Sequence, residues 1–150
     1  MRTRSRRRRS RSSVAVQFAA PRRGLPSARA LGRWARAAAA RAAQVTLRIV
    51  DAAEGRRLNR TYRGLDRATN VLAFSYAGRR GDIVLCHPVV AREARAQGKT
   101  LAAHYAHLVV HGMLHLRGHD HARRVDRARM ERNEIRILRR LGFADPYTVK

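Results

Sequence analysis

The residue pattern predicts an α+β fold, a mixed four-stranded β-sheet with packed helices. Three observations carry this: a strand, helix, strand run between residues 14 and 51, two short apolar strands divided by a glycine-bearing turn, and helical periodicity from Pro88 to Leu141. Taken in order, Val14, Val16 and Phe18 alternate with Ala15, Gln17 and Ala19 as in a half-buried strand, and Ser27 to Arg41 reads as an alanine-rich helix. Gln44 to Asp51 points Val45, Leu47 and Ile49 to one face, which completes a right-handed parallel βαβ unit. A short helix is expected over Ala53 to Arg63. Asn70 to Tyr76 and Asp82 to Cys86 form a hairpin across Ala77 to Gly81. From Pro88 the pattern turns helical, with a break near Gly98, a long helix from Thr100 to Leu116 and a last one from Arg124 to Leu141.

A chain of 150 residues, 45% apolar, builds one ordinary core. Residues 1–12 lack apolar periodicity and read as a disordered basic arm, leaving residues 13–150 as a single domain. The 34 basic residues against 10 acidic give +24, and only Lys99 and Lys150 are lysines. Without residues 1–12 the balance is 27 basic to 10 acidic, still +17, so the body is basic too. An arginine and alanine bias of the source genome would give part of this excess. The first 50 residues contain no acid, as transit peptides do, but the strand and helix patterns within them read as fold.

A charge of this size favours polyanions. With eight aromatic residues there are few stacking platforms for single-stranded bases, so phosphate-dominated, shape-led binding is expected. No stretch approaches the ~18 consecutive apolar residues of a bilayer crossing, so no membrane partner is expected. A single cysteine, Cys86, rules out an intrachain disulfide and a CxxC zinc knuckle, and suits a reducing compartment, the cytoplasm. In its apolar strand Cys86 reads as a small buried hydrophobe. Trp34, Tyr62, Val71, Leu72 and Phe74 are expected in the core.

Four of the seven histidines fall within Leu108 to His121, LVVHGMLHLRGHDH. His111 and His115 are four apart, about 40° around a helix and ~6 Å along it, so both imidazoles reach one ion. Gly118 can end the helix in a left-handed conformation and return the chain, so that His121 supplies a third nitrogen. Three imidazoles with an open fourth position are the catalytic zinc layout. His107 lies ~12 Å along the axis from His115 and cannot share its ion. His119 and Asp120 lie inside the turn, where they face solvent or orient a ligand imidazole, and His87 and His104 read as ordinary histidines. The spacing HxxxHxxGxxH is also that of metzincin peptidases, but their general-base glutamate follows the first histidine, and here that residue is Gly112. A peptidase is therefore disfavoured.

His111-Gly-Met-Leu-His-Leu-Arg-Gly-His-Asp-His121 resembles the HGxLHLxGYDH signature of the YbeY family of bacterial rRNA maturation endoribonucleases. Leu58 to Arg63, Thr69 to Phe74, Gly81 to Ile83, His107 to His111 and Leu141 to Tyr147 resemble that family's other blocks, in order. The departures are His119 for the usual tyrosine, Ala73 for serine, Ser75 for proline, and a basic stretch after His121 where the family tends to be acidic. None removes a ligand.

The resemblance implies one zinc ion per chain on His111, His115 and His121, with RNA, chiefly ribosomal RNA, as substrate. It implies a single-strand-specific endoribonuclease in 16S rRNA 3′-end processing and late 70S ribosome quality control, with the ribosome or its small subunit and assembly factors as partners. Arg63, matching the family's functional arginine, is the candidate catalytic and substrate-binding cation, since phosphodiester cleavage builds charge on a pentavalent phosphorus. Asn70 is a further substrate-binding candidate, although turn chemistry explains it nearly as well. No carboxylate stands out as general base, so attack by an activated water and by the RNA 2′-hydroxyl both stay open. The competing reading is a non-catalytic RNA-binding assembly factor with a structural metal.

Overall fold

The computed structural model describes residues 11–118 and 124–148, with Arg124 and Val125 described by backbone only. Most of the expected basic arm, and the segment holding His119, Asp120 and His121, lie outside the described residues.

Strand β1 (Ser13–Ala19) leads to helix α1 (Ala28–Ala38), which starts where Ser27 Oγ accepts the Ala30 N–H at 3.1 Å. Its Leu31, Trp34, Ala35 and Ala38 repeat at helical spacing and are buried. The helix ends at Ala38, three residues before the expected end at Arg41, and the chain enters β2 (Gln44–Val50). Asp51 then caps α2 (Ala52–Arg63) by accepting the Glu54 N–H at 2.9 Å. Strands β3 (Val71–Tyr76) and β4 (Arg80–Cys86) pair antiparallel. Their turn is compressed into three residues, left-handed at both Gly78 and Arg79, so β4 begins at Arg80 rather than Asp82. Three helices follow, α3 (His87–Ala96), α4 (Leu101–Leu116) and α5 (Arg124–Arg140), the second capped by Thr100.

The sheet order is β1-β2-β4-β3, with β1, β2 and β4 parallel and β3 antiparallel on the edge. This is the expected mixed sheet, and α1 makes the parallel crossover. Alternation sorts the strands into two faces. Leu47, Ile49, Ile83 and Leu85 meet α1 and α4, while Val50, Val84 and Cys86 meet Leu58 of α2 and Val89 of α3. Each fully buried Leu or Ile contributes about 1.5–3 kcal/mol, so the first face, which holds most of them, dominates stability. Among the described residues no helix is long and apolar enough to cross a membrane.

Gly112 explains how closely α4 lies on the sheet. A Cβ there would stand 3.0 Å from Cδ1 of Ile83, so α4 rests on β4 through a bare backbone position. Gly112 is thus a packing residue, and a glutamate could not occupy it without lifting the helix. After α5 the chain returns across the first face, where Phe143 packs edge-on against Trp34 with centroids 5.6 Å apart.

Candidate functional site

The last two turns of α4 bring His111 and His115 to one side, their rings near-parallel at 18° with centroids 6.5 Å apart. The helix closes at Arg117, and Gly118 follows in the left-handed conformation expected of it, with φ 91°. His121, the third expected ligand, lies beyond this turn and outside the described residues.

The two histidines line a cleft of about 510 Å³. Its other walls are Tyr62 and Arg63 from the end of α2, Thr69 and Asn70 from the following loop, and Val71 to Phe74 of β3. Arg63, Asn70, His111 and His115 therefore share one cavity. The loop carrying Thr69 and Asn70 is tied down from α2: Asn59, fully buried, donates to the Arg67 carbonyl at 2.8 Å, and Arg56 holds Asp66 through two bonds of 2.8 and 2.9 Å. Asn70 is braced from behind, its Nδ2 donating to Glu93 at 3.0 Å and its Oδ1 accepting the Val71 N–H at 2.6 Å. Glu93 in turn meets Nε2 of the buried His104 at 2.9 Å. Tyr62 is not in the core: it is 64% exposed at the cleft wall, and its ring meets Phe74 edge-on at 5.1 Å.

Glu134 of α5, wholly buried, was not foreseen as part of this site. It accepts a hydrogen bond from His111 Nδ1, a second from the Tyr147 hydroxyl and a third from His107 Nε2 at 3.3 Å. Burial alone would raise its pKa, but the bonds from His107, His111 and Tyr147 outweigh that and bring it down to about 2, so it is a carboxylate at neutral pH. A signal was present in the sequence, since Glu134 shares the spacing of Met130, Ile137 and Leu138, the buried stripe of α5. Burial, and the bond it donates to Glu134, raise the Tyr147 pKa, so its hydroxyl keeps its proton.

The proton on His111 Nδ1 is thus assigned by Glu134, which leaves the Nε2 lone pair as the donor. A histidine oriented by a carboxylate, with a second histidine one turn on, is chemistry that fits a zinc ion. His107, by contrast, turns its Nε2 toward Glu134 and Tyr147 and stacks edge-on to Tyr147. It supports the site from behind and does not line the cleft. Cys86 and His87 are also outside the cleft, the thiol buried at 1% exposure and the imidazole Nδ1 2.8 Å from the Tyr105 hydroxyl.

The fold and cleft define a small α+β protein with an HxxxH helix and an arginine facing each other across an edge strand. The chain belongs to the YbeY family: the family model described as Endoribonuclease YbeY matches residues 28–142. Proteins named Endoribonuclease YbeY from Nitrosomonas europaea and Aromatoleum aromaticum are similar to it. The first is 49% identical over 140 residues, covering 91% of this chain and 85% of that protein. The second is 55% identical over 125 residues, covering 81% of each. The solution structure of TM1509 from Thermotoga maritima has the same fold, with a TM-score of 0.58 at 21% identity over 91% of this chain and 99% of that one.

Proposed function

We propose that the chain is a zinc-dependent endoribonuclease acting on single-stranded ribosomal RNA, in 16S 3′-end processing and late 70S quality control in the cytoplasm. The observation that carries this reading is the convergence of Arg63 with His111 and His115 in one cleft of a chain whose relatives are named endoribonucleases. His111, His115 and His121 would hold one zinc ion, which when bound supplies Lewis acidity and an acidified water.

The chain's own residues supply the rest. Glu134 keeps the His111 proton on Nδ1 and the ring in place. Arg63, exposed at the cleft mouth, offers a planar fork to two phosphate oxygens and stabilises the charge that grows as phosphorus becomes five-coordinate. Asn70 donates one amide hydrogen to Glu93, and its other hydrogen serves a ribose or phosphate oxygen. Tyr62, beside Phe74, gives a base an aromatic face at the same mouth. The ribosome or its small subunit, with assembly factors, would present the substrate.

The test compares wild type with His115→Ala and Arg63→Ala for metal content by mass spectrometry and for cleavage of an rRNA fragment. About one zinc per chain in wild type, lost in His115→Ala but kept in Arg63→Ala, with cleavage lost in both, supports the reading. A second reading has its own observation: through Glu134, His111 also fastens α5 to α4, as a structural metal would. Zinc retained by wild type with RNA left intact, with and without ribosomes, favours that non-catalytic assembly factor.

A further inference from the structure

We propose that a second pocket, beneath the β3–β4 turn, binds a nucleotide of the RNA strand next to the one in the cleft. This rests on RNA being the substrate. The pocket has a volume of about 350 Å³, within the range of small-ligand sites. Its floor is apolar, made by Ala43, Val45 and Met113, and its rim carries Arg79, Arg80 and Arg117. Among the described residues no acidic side chain lines it, and none of the three guanidinium groups pairs with a carboxylate. An apolar floor under three guanidinium groups fits a base with its phosphate.

The backbone around this pocket is strained in a way its sequence does not require. Among the described residues only two besides glycine have left-handed backbone, Ala42 at φ 58° and Arg79 at φ 61°. Arg79 lines the pocket, and Ala42 lies in the chain between two of its lining residues, Ala40 and Ala43. Arg79 Nη1 donates to the Arg41 carbonyl at 2.6 Å, and the Gln44 N–H donates to the Arg79 carbonyl at 3.0 Å, so the two turns are latched together. Glycine or asparagine would sit in such a turn without strain. An arginine held there is the kind of outlier that marks a ligand clamp.

The position relative to the cleft gives the ligand's source. Ala73 lines the cleft and Ser75 lines the pocket, on the same face of β3 and about 7 Å apart. The last turns of α4 likewise present His115 to the cleft and Leu116 and Arg117 to the pocket. A strand leaving the cleft along β3 reaches the pocket within about one extended nucleotide.

The chain has three methionines, Met1, Met113 and Met130; both Met113 and Met130 are buried, but only Met113 lies under the pocket, so its labelled methyl reads occupancy of the pocket floor and Met130 serves as the control. Adenosine 5′-monophosphate and a non-cleavable hexaribonucleotide are each titrated into wild type, Arg79→Gly and Arg117→Gln. Both probes should shift the Met113 signal in wild type, leave Met130 in place, and shift Met113 at several-fold higher concentration in each variant. Arg79→Gly relieves the left-handed turn but gives up the bond to the Arg41 carbonyl, so its melting temperature should stay within a few degrees of wild type, which separates lost binding from lost fold. In cleavage, KM should rise about tenfold for long RNA in both variants and stay level for a dinucleotide. A stationary Met113 signal overturns the site. A shift with the mononucleotide and none with the hexaribonucleotide overturns its place on the substrate strand. If wild type cleaves no RNA, the nuclease reading fails, while the Met113 titration still decides whether the pocket takes a nucleotide.

Discussion

His111 on α4 donates its Nδ1 proton to Glu134 on α5, 23 residues further along the chain. The imidazole that faces the cleft is therefore oriented by a carboxylate that never reaches it. Replacing Glu134 with Gln removes the charge and keeps the shape, and should weaken zinc binding about 10- to 100-fold by competition with a chromophoric chelator. Tyr147→Phe, which removes one of the three bonds to the carboxylate, should weaken it less.

Gly112 sets the height of α4 above the sheet. Gly112→Ala should cost about 1–3 kcal/mol, because the new methyl meets Ile83 at 3.0 Å in a packed layer. Combining it with Ile83→Val should recover part of that loss, a coupling visible in a double-mutant cycle of denaturant midpoints. Additive costs would mean that the two residues do not share the strain.

His104 makes stability depend on pH. Burial, partly opposed by the bond to Glu93, lowers its pKa below the ordinary 6.5, with Lys99 and His107 acting in the same direction as burial. The unfolded chain then binds the proton at a higher pH than the folded one, so the stability conferred by neutral His104 is complete above about pH 6.5 and is lost as pH falls towards the folded value. His87, also lowered by burial, adds to the same trend. The melting temperature should fall between pH 7 and pH 5, and fall less in His104→Gln. An unchanged slope in that variant would remove His104 as the cause.

Product ends discriminate between the two nucleophiles open to the site. Attack by water leaves no cyclic product, whereas attack by the 2′-hydroxyl leaves a 2′,3′-cyclic phosphate on the upstream fragment. A substrate with a 2′-deoxy residue at the scissile position should be cleaved normally in the first case and resist in the second. Mass spectrometry of the fragments reads both.

The elements that were legible in the sequence are those whose signal is local. Val45, Leu47 and Ile49 alternate into the sheet, Thr100 opens α4, and Gly118 closes it in the conformation read from its place after His115. The relationships that were not legible depend on distant partners. The spacing of Glu134 with Met130, Ile137 and Leu138 points it inward, but only the packing of α5 on α4 decides that it accepts from His111. Tyr62 reads as core because it is aromatic, yet on the last turn of α2 it is covered on one side by Phe74 and is otherwise open to the cleft. Arg79 in a left-handed turn breaks local preference, which no pattern of apolar residues announces.

The bond between His111 and Glu134 also has a meaning in time. A ribosome adds about 5–20 residues per second, so the helix bearing both imidazoles is made one to several seconds before the carboxylate that orients them, and Tyr147 later still. Through that interval the nascent chain carries histidines without their orienting partner. The arrangement is complete only with the final stretch of translation, and a product stopped before α5 should carry His111 without the carboxylate that fixes its ring.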